Sequence, residues 1–213
     1  MRQGGRRPLN SLPRLFGSAQ PNASNLNWVA GQTVPNRVIV PVGTGADAGE
    51  VTIANDAGNT DVVVDVGGWF TDSSNASATG ARYVALPPTR ICDTRAENGA
   101  VVPANQCNGD GAGPGTLGGG STVVVQVTGL ADVPAYAVAV VANTTVTNTT
   151  APSFLTVYPD GSAMVPNASD LNWVAGETVP NLVVAKLGND GAIDATNAAG
   201  DTDVIVDVEG FYE

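Results

Sequence analysis

TDVIVDVEGFY (residues 202–212) is the stretch that decides the fold, and it occurs earlier in the chain as TDVVVDVGGWF (residues 60–70). The later stretch alternates, with Val204, Val206 and Val208 on one face and Asp203, Ile205 and Asp207 on the other. The earlier stretch alternates in the same way, with Val62, Val64 and Val66 against Asp61, Val63 and Asp65. A period of two predicts a half-buried β-strand at both places.

Both stretches belong to a longer internal repeat. PNASNLNWVAGQTVPNRVIVPVG (residues 21–43) returns as PNASDLNWVAGETVPNLVVAKLG (residues 166–188), and residues 49–70 return as residues 191–212. We call residues 21–70 the first copy and residues 166–212 the second copy. A small insertion at residues 44–48 distinguishes the first copy. Repeats of this kind mark modular proteins, which are more often structural or adhesive than catalytic.

Only the second copy is preceded by a long segment, because residues 82–165 have no counterpart before the first copy. We therefore predict a partial β-module at residues 17–72 and a complete β-module with a disulfide loop at residues 82–213. Residues 73–81 are polar and small, which predicts a flexible linker between the modules. The Arg-rich residues 1–16 are expected to be irregular. Within the first copy, strands are predicted at residues 26–29, 37–42, 50–54 and 61–66.

The composition favours an all-β protein. The 213 residues include 26 Gly and 14 Pro, Val is abundant, and only 14% are charged. Val and Thr fit pleated surfaces, whereas Gly and Pro punctuate them with turns. No stretch carries an apolar helical stripe over three turns. Short strands separated by turn signals about every ten residues predict β-sandwich-like modules or a barrel-like relative.

The charge distribution excludes several partners. The formal net charge is −11 although Arg2, Arg6, Arg7 and Arg14 lie near the start of the chain. An acidic body lacks the basic face that nucleic-acid binding needs. No apolar run approaches the ~20 residues of a membrane span. The Arg-rich start has no apolar segment after it, so it is not a signal peptide; it is an interaction arm or a spurious translation start.

The two cysteines predict the compartment. Cys92 and Cys107 enclose a short loop, and the chain has no His. A disulfide closing this loop would stabilise the fold by about 3 kcal/mol, and disulfides indicate an oxidising compartment. The alternative is two reduced, buried thiols. We expect the disulfide, and with it an extracellular or cell-surface location, although no export signal is present in the chain.

The sequence contains little that points to catalysis or to a cofactor. GPGTLG (residues 113–118) has the spacing of a dinucleotide-binding loop, but no strand precedes it and no helix follows it. Without His, no Ser-His or Cys-His pair can form. We expect no catalytic residues, no cofactor and no metal site. A calcium site near Asp201 and Asp203 is a minor alternative.

Two acidic pairs and two tryptophans are the remaining candidates for a binding site. The pairs are Asp61 with Asp65 and Asp203 with Asp207, whose backbones lie about 13 Å apart on a strand. That spacing is wide for a glycosidase pair, and solvent-facing or turn-bonding carboxylates are the preferred interpretation. Trp28 and Trp173 are equivalent in the repeat. Packing in the core is the preferred interpretation for both, and a glycan-facing surface formed with the acidic pairs is the alternative.

The order of several short motifs resembles a known repeat. RICDTR (residues 90–95), GLADVP (129–134) and NTTVT (143–147) are followed by FLTVYP (154–159), SDLN (169–172), GETVPN (176–181) and TDVIVDVEGFY (202–212). This order resembles a module repeated in secreted and cell-surface proteins of actinobacteria. The resemblance covers residues 82–213, and residues 17–70 for the second half of the module only. It implies a secreted, β-rich accessory or structural module without an assigned catalytic site.

The leading hypothesis is an extracellular structural protein that self-associates by strand complementation into a surface layer or filament. Half a sandwich exposes strand edges and an apolar face, and such surfaces pair readily with another chain. The expected partner is therefore a homo-oligomer or polymer. The alternative is a glycan- or cell-wall-binding accessory module. A further interpretation is that Met1 begins a truncated or misassigned gene, in which case the half module is an artefact of where the chain was cut.

Overall fold

The computed structural model describes residues 10–15, 23–71, 80–95, 107–109 and 115–213. The chain divides into two compact units, Met1–Val64 and Asp65–Glu213. This division falls inside the first copy, whereas the sequence predicted a boundary at the linker; residues 72–79 of that linker lie outside the described residues. The strands confirm the all-β prediction. Each unit is described below by itself.

The first unit contains one three-stranded antiparallel sheet. Its strands are β1 (Asn10–Leu15), β2 (Leu26–Asn27) and β3 (Val51–Asn55), in the order β2-β1-β3. β3 confirms the strand predicted at residues 50–54, and β2 is a shorter version of the strand predicted at residues 26–29. β1 corrects the prediction that residues 1–16 are irregular.

The second unit contains two antiparallel sheets with nine strands in all. These are β4 (Tyr83–Asp93), β5 (Asn108–Gly109), β6 (Thr122–Gln126), β7 (Ala139–Thr147), β8 (Ser153–Pro159), β9 (Leu171–Trp173), β10 (Val179–Lys186), β11 (Ala192–Asn197) and β12 (Asp203–Tyr212). One sheet has the order β10-β7-β12-β4 and the other the order β5-β6-β11-β8-β9. We call residues 82–150, which carry β4 to β7, the leading half.

A single core joins the two sheets, as in a β-sandwich. It is built largely from Val, whose branched side chain suits a pleated surface. On β12, Val204, Val206 and Val208 are all buried, as the alternation predicted. Ile205 and Asp203 on the opposite face are buried too, so this strand is more covered than a half-buried one. Each fully buried Val contributes roughly 1.5–3 kcal/mol relative to an exposed one.

β4 runs through a Pro-Pro pair, although proline cannot donate a ladder hydrogen bond. The strand continues from Tyr83 to Asp93 across Pro87 and Pro88. The register between β12 and β4 shifts between Val208 and Gly210, opposite these prolines. A bulge on an edge strand tolerates residues that cannot donate a ladder hydrogen bond. The proline signal therefore marks a bulge here and not a strand end.

The sheet order shows which part of the module the first copy lacks. Ser11 of β1 pairs with Leu26 and Asn55, and Leu155 of β8 pairs with Leu171 and Asn197. Leu26 and Leu171 are repeat equivalents, as are Asn55 and Asn197. β1 therefore takes the place of β8, and β2-β1-β3 reproduces β9-β8-β11. No described residue of the first unit takes the place of β4 or β7.

The strands predicted at residues 37–42 and 61–66 are not formed, which corrects two predictions. Neither segment is in a strand, whereas their equivalents in the second copy form β10 and β12. The physical reason lies in the pairing. β10 pairs with β7, and β12 pairs with β7 and β4, so all their ladder partners belong to the leading half. Without such partners, the backbone of residues 37–42 and 61–66 has no strand to pair with.

The predicted disulfide is confirmed. Cys92 and Cys107 are bonded, with Cα atoms 5.1 Å apart, and both are buried. The bond ties β4 to the residue that precedes β5. It therefore links the four-stranded sheet to the five-stranded sheet across the core.

Replacing both cysteines by Ala should lower the free energy of unfolding of the second unit by about 3 kcal/mol, because the open loop gains entropy in the unfolded chain. Urea unfolding monitored by circular dichroism measures the difference. Reductant should destabilise the native chain by a similar amount and leave the double variant unchanged. Equal midpoints for the native chain and the double variant would contradict a structural role for the bond.

The repeat provides a matched pair of substitutions. Val208→Ala removes a fully buried side chain and should lower the free energy of unfolding by about 2–3 kcal/mol. Val66→Ala at the equivalent exposed position should change it by less than about 0.5 kcal/mol. Chemical denaturation of the two variants measures both values. Comparable losses would show that residues 61–70 are packed in solution.

Candidate functional site

The first copy exposes an apolar surface that the second copy buries. Its exposed side chains are Val63 at 84%, Val66 at 85% and Trp69 at 86% exposure. The equivalents in the second copy are Ile205 at 6%, Val208 at 0% and Phe211 at 5%. Ile39 is also exposed, and its equivalent Val184 is half-buried. We call residues 37–42 and 61–70 the open segments. Each open segment, taken by itself, is a candidate functional surface.

The acidic pair of the second copy is held by the leading half. Asp203 is buried and accepts hydrogen bonds from Thr94 Oγ1 at 3.2 Å and from Asn148 Nδ2 at 2.7 Å. Asp207 accepts from Arg90 through Nε at 2.8 Å and Nη2 at 3.1 Å. This two-point contact fixes the orientation of both side chains. The pair therefore joins the two parts of the module, and its oxygens are occupied by structural contacts.

A third carboxylate extends this network into the core. The side chain of Asp93 is fully buried and accepts from Arg95 Nε at 2.9 Å and Nη2 at 2.7 Å. Arg90 Nη1 donates to Oδ2 of Asp93 at 3.3 Å, the oxygen that also accepts from Arg95 Nη2. The sequence analysis missed this cluster. Its signal was the alternation of charges in RICDTR, where Arg90, Asp93 and Arg95 stand within six residues.

Burial and charge act in opposite directions on Asp93. Burial alone would raise its pKa, but the hydrogen bonds from the side chain and backbone of Arg95, with the charges of Arg95 and Arg90, hold the pKa below its usual value. The pKa of Arg90 is raised, first by its hydrogen bond to Asp207. Both shifts favour the charged forms, so the cluster stabilises the module at neutral pH.

The equivalent acidic pair of the first copy has different surroundings. Asp61 and Asp65 are exposed, as predicted for solvent-facing carboxylates. The Oδ2 atom of Asp65 accepts a hydrogen bond from the backbone N–H of Ser169 at 3.4 Å. No described residue of the first copy corresponds to Arg90, Thr94 or Asn148, because these three belong to the leading half. Asp61 and Asp65 therefore differ in surroundings from Asp203 and Asp207.

The two candidate tryptophans differ in burial. Trp173 is buried in the core, in agreement with the packing interpretation, and is not available to face a glycan. Trp28 is half-buried. The fully exposed ring belongs to Trp69, which the repeat matched with Phe211 and which was not among the candidates. Asp203 is buried as well, so the second copy does not present the predicted combination of Trp and Asp.

The dinucleotide-like motif has a structural role where it is described. Leu117 is buried, its N–H donates to the carbonyl of Thr202 at 2.7 Å, and its carbonyl accepts from the N–H of Thr202 at 3.0 Å. A strand, β6, follows it. Gly113 and Pro114 lie outside the described residues.

The part of the chain that the structure describes holds no group of three or more His, Cys, Asp or Glu side chains that could bind a metal ion. Within the same residues, no helix is long and apolar enough to cross a membrane. Comparison of the chain with protein-family models gives no match, and comparison with curated proteins gives none either.

The stability of the second unit should fall in acid. A carboxyl whose folded pKa is depressed contributes stability above its unfolded pKa of about 3.9, and this contribution is lost as pH falls through the folded value. Urea unfolding between pH 6 and pH 2 measures the loss. Asp93→Asn should be less stable at pH 6 and should show a flatter dependence below pH 4.

The exposed Asp56 provides the control for this experiment. Asp56→Asn should retain the acid dependence of the native chain, since its carboxyl has no comparable contacts to lose. If Asp93→Asn and the native chain lose stability in parallel below pH 4, the dependence arises elsewhere.

Proposed function

We propose that this chain is an extracellular structural module that self-associates into a surface assembly or filament. The open segments of its first copy would pair with the open segments of another molecule of the chain. The observation that carries the proposal is the contrast between the two copies. The same alternating sequence is buried in a sheet in one copy and exposed without ladder partners in the other.

The exposed side chains supply enough free energy for weak association. Burying four large apolar side chains, namely Ile39, Val63, Val66 and Trp69, contributes about 1.5–3 kcal/mol each, or about 6–12 kcal/mol together. Association opposes this with about 4–15 kcal/mol of lost motional freedom. The two terms are of similar size. Assembly should therefore depend strongly on concentration.

An extracellular location is supported by the disulfide, because such bonds persist in oxidising compartments. A non-catalytic role is supported by the complete absence of His from the sequence. It is supported further by the structural contacts that occupy the acidic pair of the second copy. These features fit a module whose function is association.

A glycan-binding accessory role is the second candidate, and the exposed ring of Trp69 is the observation that favours it. An exposed aromatic face can stack on a sugar ring. Retention of the protein on insoluble cell-wall polysaccharide that is lost in Trp69→Ala would support this role. Equal retention of both proteins, or none, would count against it.

Light scattering after size-exclusion chromatography tests self-association. The native chain should form larger species as its concentration rises, and Val63→Asp with Val66→Asp should weaken this by at least about tenfold in concentration, since two charges would then enter the contact. Val174→Asp places the same charge on an exposed apolar residue of the second copy and should have little effect. A monodisperse monomer at every concentration would overturn the proposal.

A further inference from the structure

The second copy shows what covers the open segments when a module is complete. β7 lies between β10 and β12, and β4 lies on the other side of β12. Residues 61–70 match β12 at six of ten positions and keep its alternation, so the same pair of strands fits them. We propose that residues 61–70 are an acceptor for a β7-like and a β4-like strand supplied by a leading half other than residues 82–150, and that Asp65 selects a β4-like strand with an arginine. This inference rests on the proposed function in one respect only, because both use residues 61–70 as a binding surface.

The register defines the central donor strand. Val146, Thr144 and Ala142 of β7 pair with Val204, Val206 and Val208 of β12. Transferred to the first copy, the same donor residues meet Val62, Val64 and Val66. The donor is therefore a strand of small and β-branched residues, as in AVVANTTVT (Ala139–Thr147). Such residues cover a Val-rich strand and leave room for the backbones to pair.

Charge defines the outer donor strand. In the second copy Arg90 holds Asp207 at two points, and Asn148 holds Asp203. The equivalents in the first copy are Asp65 and Asp61. A donor that covers Asp65 without bringing a cation leaves a carboxylate removed from water and unpaired, which disfavours the complex. A donor with an arginine at the position of Arg90 avoids this and gains two charge-assisted hydrogen bonds.

Another molecule of this chain is a poor donor, because its leading half already pairs with its own second copy. The donor must instead carry leading-half strands that lack a trailing partner of their own.

Direct pairing of two open segments is also weaker than pairing with such a donor. When residues 61–65 pair antiparallel about Val63, Asp61 of one chain lies opposite Asp65 of the other. Like charges directly opposite each other destabilise a strand pair. An arginine-bearing donor replaces this repulsion with attraction. It should therefore compete successfully with self-association.

Hydrogen–deuterium exchange of the full chain tests the proposal, with two synthetic peptides as probes. One peptide covers residues 137–149, and the other covers residues 82–95 with Cys92→Ser. Together they should slow exchange at residues 61–70 by at least about tenfold, because new ladder hydrogen bonds protect the backbone amides. Exchange at the equivalent residues 203–212, which are already paired, should not change. No protection of residues 61–70 at millimolar peptide would overturn the proposal.

A charge exchange tests the role of Asp65. Arg90→Glu in the peptide of residues 82–95 should weaken the binding of this peptide about tenfold or more, as expected for loss of a charge-assisted contact. Asp65→Arg in the full chain should restore the binding of that altered peptide. A shuffled peptide of the same composition is the control for apolar adhesion. Binding that is insensitive to both substitutions would overturn selection by charge.

Light scattering on the same samples without peptide separates this inference from the proposed function. Peptide uptake by a chain that stays monomeric supports the donor and overturns self-association. Self-association without peptide uptake overturns the donor and leaves the proposed function standing. Dissolution of the assemblies by the peptides supports both, since the two processes would then use the same segments.

Discussion

The pairing of β7 with β10 and β12 is the constraint on which the rest of the module depends. β7 lies between two strands of the second copy, and these strands have no ladder contact with each other. The four-stranded sheet therefore exists only where the leading half meets the second copy. The Arg90–Asp207 contact crosses this junction and holds the two chain segments together. The disulfide and the contacts of Asp93 lie within the leading half, and they fix the strand, β4, that pairs with β12.

Two stretches with the same alternating pattern consequently have two structures. Val208 and Val66 stand in the same local pattern, yet one is buried in a strand and the other is exposed outside any strand. Strand propensity reports how well a side chain fits a pleated, half-buried surface, and that surface is made by the neighbouring strands. By contrast β3 forms in the first copy, because β1 supplies the ladder that β8 supplies to β11. The presence of a partner decides between the two outcomes.

This dependence explains what the sequence could predict. Alternation identified β12 and the all-β class, because a periodic pattern is a local property. Cysteine spacing similarly identified the disulfide. The same alternation was wrong for residues 61–66, since no local signal records a missing partner. β1 was missed because NSLPRL shares little with FLTVYP, although the two have the same register. The contact of Arg90 with Asp207 joins two distant strands where the register of β12 and β4 shifts between Val206 and Asp207, and no local pattern gives it.

The acidic residues of the open segments have two consequences that act together. In the second copy, Asp203 and Asp207 hold the leading half in register. In the first copy, Asp61 and Asp65 place negative charge along an apolar stretch that would otherwise pair with many other strands. Charged residues on exposed sheet edges similarly prevent unwanted pairing. The net charge of −11 adds a general repulsion between molecules of the chain. The same carboxylates attract a strand that carries arginine. One pair of residues thus weakens pairing between identical chains, which fits an assembly that forms only at high concentration, and favours the complementary strand.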